Sequence, residues 1–561
     1  MAAATKPDMA SLLGQSAFSA AECESALQGR TPLPQQLGNP VVRLCLVSGL
    51  RRHFTLARSA EMAELCTYEG QEVLTRARNA RLIMSNEVPA REQMMTAATQ
   101  PYCIWHPDVA REETYRRVAE EFPSMRYQVG RACAVAGYAR LYHELDLLPD
   151  PSIAEEAREA AQAGGIGKAG SREIYESIMA APVRYAVMND YNVTVELDMP
   201  RPGALLNADT AVRASLEARS KYHQHFRSWH YFNITEDWGI GLEKVELGPA
   251  KLTEIEVELL AAPLPADLPT MNKDLLILAA AYEGNVDRYA RLRRPGCSVP
   301  YELHCLVPGV HRSTAMAMWL ARNPDMMKVV ADHWDSSMVV ALRRAIHARH
   351  VMNNSISRLL PDATPFVPHD ELPYWIWYPT LPSPYIMCEL ARARPAMRSQ
   401  CARACIAGSH QWAYTKIMDM PDEEEGDTDG ASKSERIPLA SDPFLQKEAE
   451  SSGNREFYVS DLKRRRAELG LPPRPSRRIQ DQEWKLAIPW RVGDTSSAEL
   501  LGFLQDSGSS VVHVGQDWGM WECLGAELGR VRLHLSSQPE AIARARKEEG
   551  GVLAVEDLSL G

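Results

Sequence analysis

Asp274-Leu-Leu-Ile-Leu-Ala-Ala-Ala-Tyr-Glu-Gly-Asn-Val-Asp-Arg-Tyr-Ala-Arg-Leu292 decides the fold class. Ala280 and Ala281 are small enough to let a neighbouring helix approach closely. Gly284 takes the left-handed conformation that ends a helix without a Cβ penalty. Asn285 turns the chain into a second helix presenting Val286, Tyr289 and Leu292. Two short helices joined by a tight turn cannot bury their apolar faces alone, so they imply stacked neighbours.

This stretch resembles the two-helix core of an ankyrin repeat, whose pattern runs from T-P-L-H through A-A-x-x-G-H/N to L-L with a period of about 33 residues. Leu275-Leu276-Ile277 replaces the Thr-Pro-Leu start, so the Thr and His hydrogen bonds of the family are missing. Echoes run through Leu303–Leu320, Ala345–Leu360, Arg403–Ile417 and, far upstream, Gly130–Leu141. Gly284 and Gly408 do not stand a whole number of such periods apart, so the repeats are degenerate. The chain as a whole is similar to ankyrin-like proteins of filamentous fungi. The resemblance implies a mainly α fold of stacked helix pairs, an ankyrin-like α-solenoid. It also implies an intracellular scaffold that binds another protein as a monomer, without catalysis or cofactor.

The 561 residues are 45% hydrophobic and 24% charged, which excludes a chiefly disordered chain. Sixty-two basic against 73 acidic residues leave a net charge of −11, which argues against direct nucleic-acid binding. Eleven cysteines, with Cys401 and Cys405 as the one close pair, form neither a zinc pattern nor a disulfide framework. Free thiols fit a reducing cytoplasm, with the nucleus as the alternative. No secretory signal opens the sequence, and no apolar run approaches the length of a membrane span.

Along the chain, residues 1–39 read as a disordered leader and 40–162 as an N-terminal helical domain, including a helix starting at His106-Pro107-Asp108. Residues 163–270 read as a flexible joint plus a mixed α/β segment. Its strand candidates are 191–199, 229–235 and 255–260, which alternate with a period of two. The ankyrin-like helices occupy 271–418. An acidic linker over 419–437 follows, too poor in apolar residues to offset ordering entropy. Residues 438–561 carry a basic helix and a small α+β C-terminal unit with strand candidates at 509–515 and 530–536.

Five motifs carry possible chemistry. His304-Cys305 followed by Arg312-Ser313 is similar to the cysteine phosphatase signature H-C-x5-R-[ST], but it is one residue too long. Gly165, Gly167 and Gly170 spell G-x-G-x-x-G, yet a charged helix precedes them where a dinucleotide site needs a strand. His223, His225 and His230 cluster without an adjacent carboxylate, so no metal is assigned. Trp375, Trp377 and Tyr378, with His410 and Trp412, form the candidate binding surface, because Trp and Tyr give large contact area at low entropic cost. Lys463, Arg464, Arg465 and Arg466 form the one dense basic cluster, continued by Arg474, Arg477 and Arg478. It supports a rival reading as a nuclear transcriptional co-regulator. A third reading is an enzyme using the histidines at 222–230 or the Cys305 loop.

Overall fold

The computed structural model describes residues 9–17, 19–163, 167–206, 234–235, 254–271, 273–294, 302–333, 336–373, 375–377, 379–421 and 438–471. Among them the protein is mainly helical, and its strands are four two-residue pieces. Tyr185–Ala186 pairs with Arg201–Pro202, and Met188–Asn189 with Thr194–Val195, both antiparallel. Three apolar cores follow one another along the chain: one from Met9 to Leu82, one from Ile83 to Ile234, and one from Leu259 to Leu462.

The deciding stretch folds as two helices, Asp274–Glu283 and Val286–Leu292. Gly284 sits at φ +70° between them, and the Asn285 N–H donates back to the Ala280 carbonyl, closing the first helix. The Asn285 side chain then accepts the Arg288 N–H and caps the second. Helix Glu302–Arg312 packs along Asp274–Glu283, and helix Ser336–Met352 packs along Glu302–Arg312. The first contact is close enough that a Cβ added to Gly309 would lie 1.8 Å from the Ala281 carbonyl oxygen. Small residues therefore let these backbones touch, which long side chains would prevent.

A larger repetition dominates the molecule. Pro101-Tyr-Cys-Ile-Trp105-His-Pro107 recurs 272 positions later as Pro373-Tyr-Trp-Ile-Trp377-Tyr-Pro379. At the same offset, Pro123-Ser-Met-Arg-Tyr-Gln-Val-Gly-Arg131-Ala-Cys133 recurs as Pro395-Ala-Met-Arg-Ser-Gln-Cys-Ala-Arg403-Ala-Cys405. The structure repeats with it. Helix Glu112–Glu121, the 3-10 turn Pro123–Met125 and helix Arg126–Ala136 correspond to Pro384–Ala393, Pro395–Met397 and Arg398–Ala407. Caps agree as well: Phe122 at φ −130°, ψ 78° matches Arg394 at φ −133°, ψ 88°, and Tyr138 at −86°, 65° matches His410 at −89°, 73°.

Upstream the correspondence holds with small length changes. Asn86 and Asn354 both adopt positive φ, 69° and 62°, after helices Glu72–Met84 and Ser336–Met352. Each side-chain oxygen accepts one backbone N–H, from Arg111 at 2.7 Å and from Ser383 at 2.6 Å. Gly49 meets the Ala26 carbonyl as closely as Gly309 meets that of Ala281. Downstream, helices Pro151–Ala163 and Lys168–Ala180 correspond to Pro443–Ser451 and Arg455–Glu468. Asp150 and Asp442 cap the first of each pair by accepting the N–H two residues on, at 2.7 and 2.8 Å. The chain holds two copies of one helical unit.

Several expectations need correction. The leader contains helices Met9–Gly14 and Ala20–Leu27, and Cys23, Ala26, Leu33 and Leu37 are buried. The helix expected from His106 starts at Glu112. Residues before it are held in the core, where the Tyr115 hydroxyl accepts the Ala110 N–H and donates to the Ile104 carbonyl. Residues 255–260 are helical within Glu254–Ala261, since a short apolar run fits either period. In 191–199 only Thr194 and Val195 pair. The glycine-rich joint is partly helix. Gly167 and Gly170 both press against Gly137, leaving Cβ clearances of 2.2 Å or less at Gly137 and Gly170. Strand candidates 509–515 and 530–536, residues 229–233, and 422–437 of the acidic linker lie outside the described residues.

Candidate functional site

A buried charged cluster forms the centre of each copy. In the first, Arg131 is held from three directions. Its guanidinium binds both oxygens of Asp190, at 2.5 and 3.1 Å, lies 3.5 Å from Glu156, and stacks 4.8 Å from the Trp105 ring. Trp105 Nε1–H donates to Glu156 at 2.9 Å, and the Tyr102 hydroxyl donates to Asp190 at 2.8 Å. Asp190 sits at the end of the short hairpin, so the cluster ties that hairpin to the helices. In the second copy Arg403 stacks 4.4 Å from Trp377 and 5.4 Å from Phe444, with Glu448 at 3.7 Å.

Burial sets the electrostatics. Glu156 is pushed up to about 7 because desolvation outweighs the attraction of Arg131, and Glu448 to about 8 because desolvation outweighs Arg403. Desolvation pulls the Arg131 pKa down, but Asp190 and Glu156 together outweigh it, so its pKa is raised and it stays charged. All of these side chains are buried, so the clusters hold the helices together and present nothing to solvent.

The candidate binding surface divides accordingly. Trp375 and Trp377 are buried in the core, Trp377 to 2% exposure, and so do not line a groove. Their sequence of apolar and aromatic residues was compatible with either place; the Arg403 contact fixes Trp377 inside. Tyr378 lies outside the described residues. His410 is half-buried at the start of helix Gln411–Met418, and burial lowers its pKa. Trp412 is exposed (47%), and its ring packs 5.0 Å from that of Tyr385, which is 73% exposed. Sequence reading missed Tyr385 as well as Arg131 and Glu156. Aligning the two copies would have found all three.

The three arginines of the basic cluster are paired within the chain. Arg464 pairs with Asp461 and Glu468, Arg465 with Asp461 and Asp419, and Arg466 is buried against the Ala440 carbonyl and Gln446. Lys463 is exposed. Arg474, Arg477 and Arg478 lie outside the described residues, as do the histidines at 222–230.

Cys305 lies within helix Glu302–Arg312, not in a phosphate-cradling loop. Burial and Glu302 push its thiol up to about 12, away from the thiolate that nucleophilic attack needs. Arg312 points instead at Tyr282, bonding its carbonyl and hydroxyl. Among the described residues no three His, Cys, Asp or Glu side chains converge as a metal site, and no helix is long and apolar enough to cross a membrane.

No curated protein and no solved structure matches the chain. Residues 105–219, which carry Trp105, Arg131, Glu156 and Asp190 of the first copy, are similar to the family described as the YKP1 C-terminal domain.

Proposed function

We propose that the protein is an intracellular scaffold whose stacked, ankyrin-like helices bind another protein, with no bond chemistry of its own. One observation carries this reading: the exposed Tyr385–Trp412 pair has no counterpart in the first copy. The equivalent positions there are Glu113 and Arg140, both exposed, with Arg140 bonded to Glu144 and Glu113 close to Arg116. The fold therefore tolerates charge at these two places, and the aromatic rings are not a requirement of packing. Exposed aromatic side chains of this kind are the residues that dominate interface energy. The internal pairing of Arg464, Arg465 and Arg466 counts against the nuclear co-regulator, and the raised Cys305 thiol counts against a phosphatase.

Chemical crosslinking in cells followed by affinity enrichment tests the reading. Wild-type protein is compared with the Tyr385→Glu/Trp412→Arg variant, which carries the residues of the first copy. The expected outcome is a set of proteins captured by the wild type and lost from the variant. Identical capture by both would remove the support for this surface.

A further inference from the structure

Resting on the scaffold reading, we infer that the Tyr385–Trp412 surface takes an acidic peptide segment that carries an apolar anchor residue. The argument is a comparison of one surface in two copies. Helices Glu112–Glu121 and Ala139–Glu144 of the first copy present Glu113, Arg116, Arg117, Glu120, Arg140 and Glu144. All three arginines are paired: Arg116 contacts Glu112, Glu113 and Glu144, Arg117 contacts Glu121, and Arg140 contacts Glu144. Such a surface is solvated and balanced.

In the second copy the same positions read Tyr385, Cys388, Glu389, Arg392, Trp412 and Lys416. All six have changed: the acids Glu113, Glu120 and Glu144 have given way to Tyr385, Arg392 and Lys416, and Arg116, Arg117 and Arg140 to Cys388, Glu389 and Trp412. Tyr385, Glu389 and Arg392 recur at helical spacing along Pro384–Ala393, and Trp412 and Lys416 along Gln411–Met418, so both stripes lie outward. Glu389 pairs with Arg392, and it also feels the positive charge of Lys416, both of which hold its carboxyl below the usual range. The patch thus sets one carboxylate against two cations beside a pair of exposed rings. Its residual charge is positive on a chain whose net charge is −11.

A ligand complementary to that patch places an apolar side chain across the two rings and a carboxylate towards Lys416 and Arg392. Rings of this size supply contact area with little ordering cost, while the cations fix the sign of the partner. A basic segment would face the same cations, and like-charge juxtaposition opposes docking.

The test uses the full chain on three synthetic peptide arrays of 12-residue peptides. All carry Leu, Phe or Trp anchors; their other positions are Glu and Asp in one array, Lys and Arg in the second, and Pro and Ser in the third. The expected result is preferential retention on the acidic array, abolished by Tyr385→Glu/Trp412→Arg and weakened at least tenfold by Lys416→Glu. Circular dichroism confirms that the variants remain folded. Preference for the basic or proline array, no retention on any array, or acidic binding unmoved by Lys416→Glu would each overturn the inference. The crosslinking comparison separates this from the broader reading: proteins still lost from the Tyr385→Glu/Trp412→Arg variant would leave the scaffold standing with a partner of different chemistry.

Discussion

A Cβ placed on Gly309 would stand 1.8 Å from the Ala281 carbonyl oxygen, and one on Gly49 equally close to that of Ala26. The obstacle is backbone, which cannot swing aside as a side-chain tip can. Gly49→Ala and Gly309→Ala should therefore each cost about 3 kcal/mol in urea denaturation, the upper range for overpacking. Gly70, with positive φ but open space around it, should lose only about 1 kcal/mol on the same substitution. The buried glutamates give a prediction with a sign. Glu156 is raised from 4.5 to about 7 in the folded protein, so the unfolded chain releases its proton more readily. Stability from this group is complete below pH 4.5 and is lost as pH rises through about 7. The loss is on the order of 3 kcal/mol at about 1.4 kcal/mol per pKa unit. Glu448 should show the same loss extending to about pH 8. Thermal melts of Glu156→Gln between pH 5 and 8 should be flatter than those of the wild type; an unchanged slope would show that Glu156 ionises normally.

Helix ends are where the two copies agree most closely. The positive-φ turns at Asn86 and Asn354 each direct a side-chain oxygen to an N–H 25 or 29 residues further on. Removing that acceptor leaves a backbone donor without its partner, so Asn86→Ala and Asn354→Ala should each destabilise by about 1–2 kcal/mol. Asn→Gly should restore the φ freedom but not the bond, and so recover only part of the loss in urea titrations. At this scale the sequence was legible where caps and glycines are local signals. The turn at Gly284–Asn285 and the basic helix of the C-terminal segment lie where the sequence places them. Period-two alternation misled at 255–260, because six residues of mixed Ile, Glu, Val and Leu suit a short helix as well as a strand. Pro107 misled as well: a helix-starting residue type stands in a segment that the Tyr115 hydroxyl pins in the core.

The architecture of the whole molecule was written in the sequence at a scale longer than a search near 33 residues detects. Trp105 and Trp377, Arg131 and Arg403, and Glu156 and Glu448 are the pairs that give it away, since each contributes to the same buried contact in its own copy. Asp190 was not legible, because its role depends on a hairpin folding back onto Arg131 from 59 residues away. Exposed Tyr385 was missed for a different reason: one tyrosine on a helix means little until Glu113 is set beside it. Hydrogen exchange on the full-length chain bearing either Arg131→Met or Arg403→Met tests the two-copy organisation most directly. Removing either buried arginine takes away the group that the buried carboxyls and the tryptophan ring pack and bond against, which typically costs several kcal/mol, roughly 3–5, enough to open the surrounding unit. The Arg131 variant should lose protection across 101–163, and the Arg403 variant across the equivalent 373–407 and 443–451, each sparing the other copy. Loss confined to the mutated helix, or spreading into the opposite copy, would contradict two equivalent units built around these clusters.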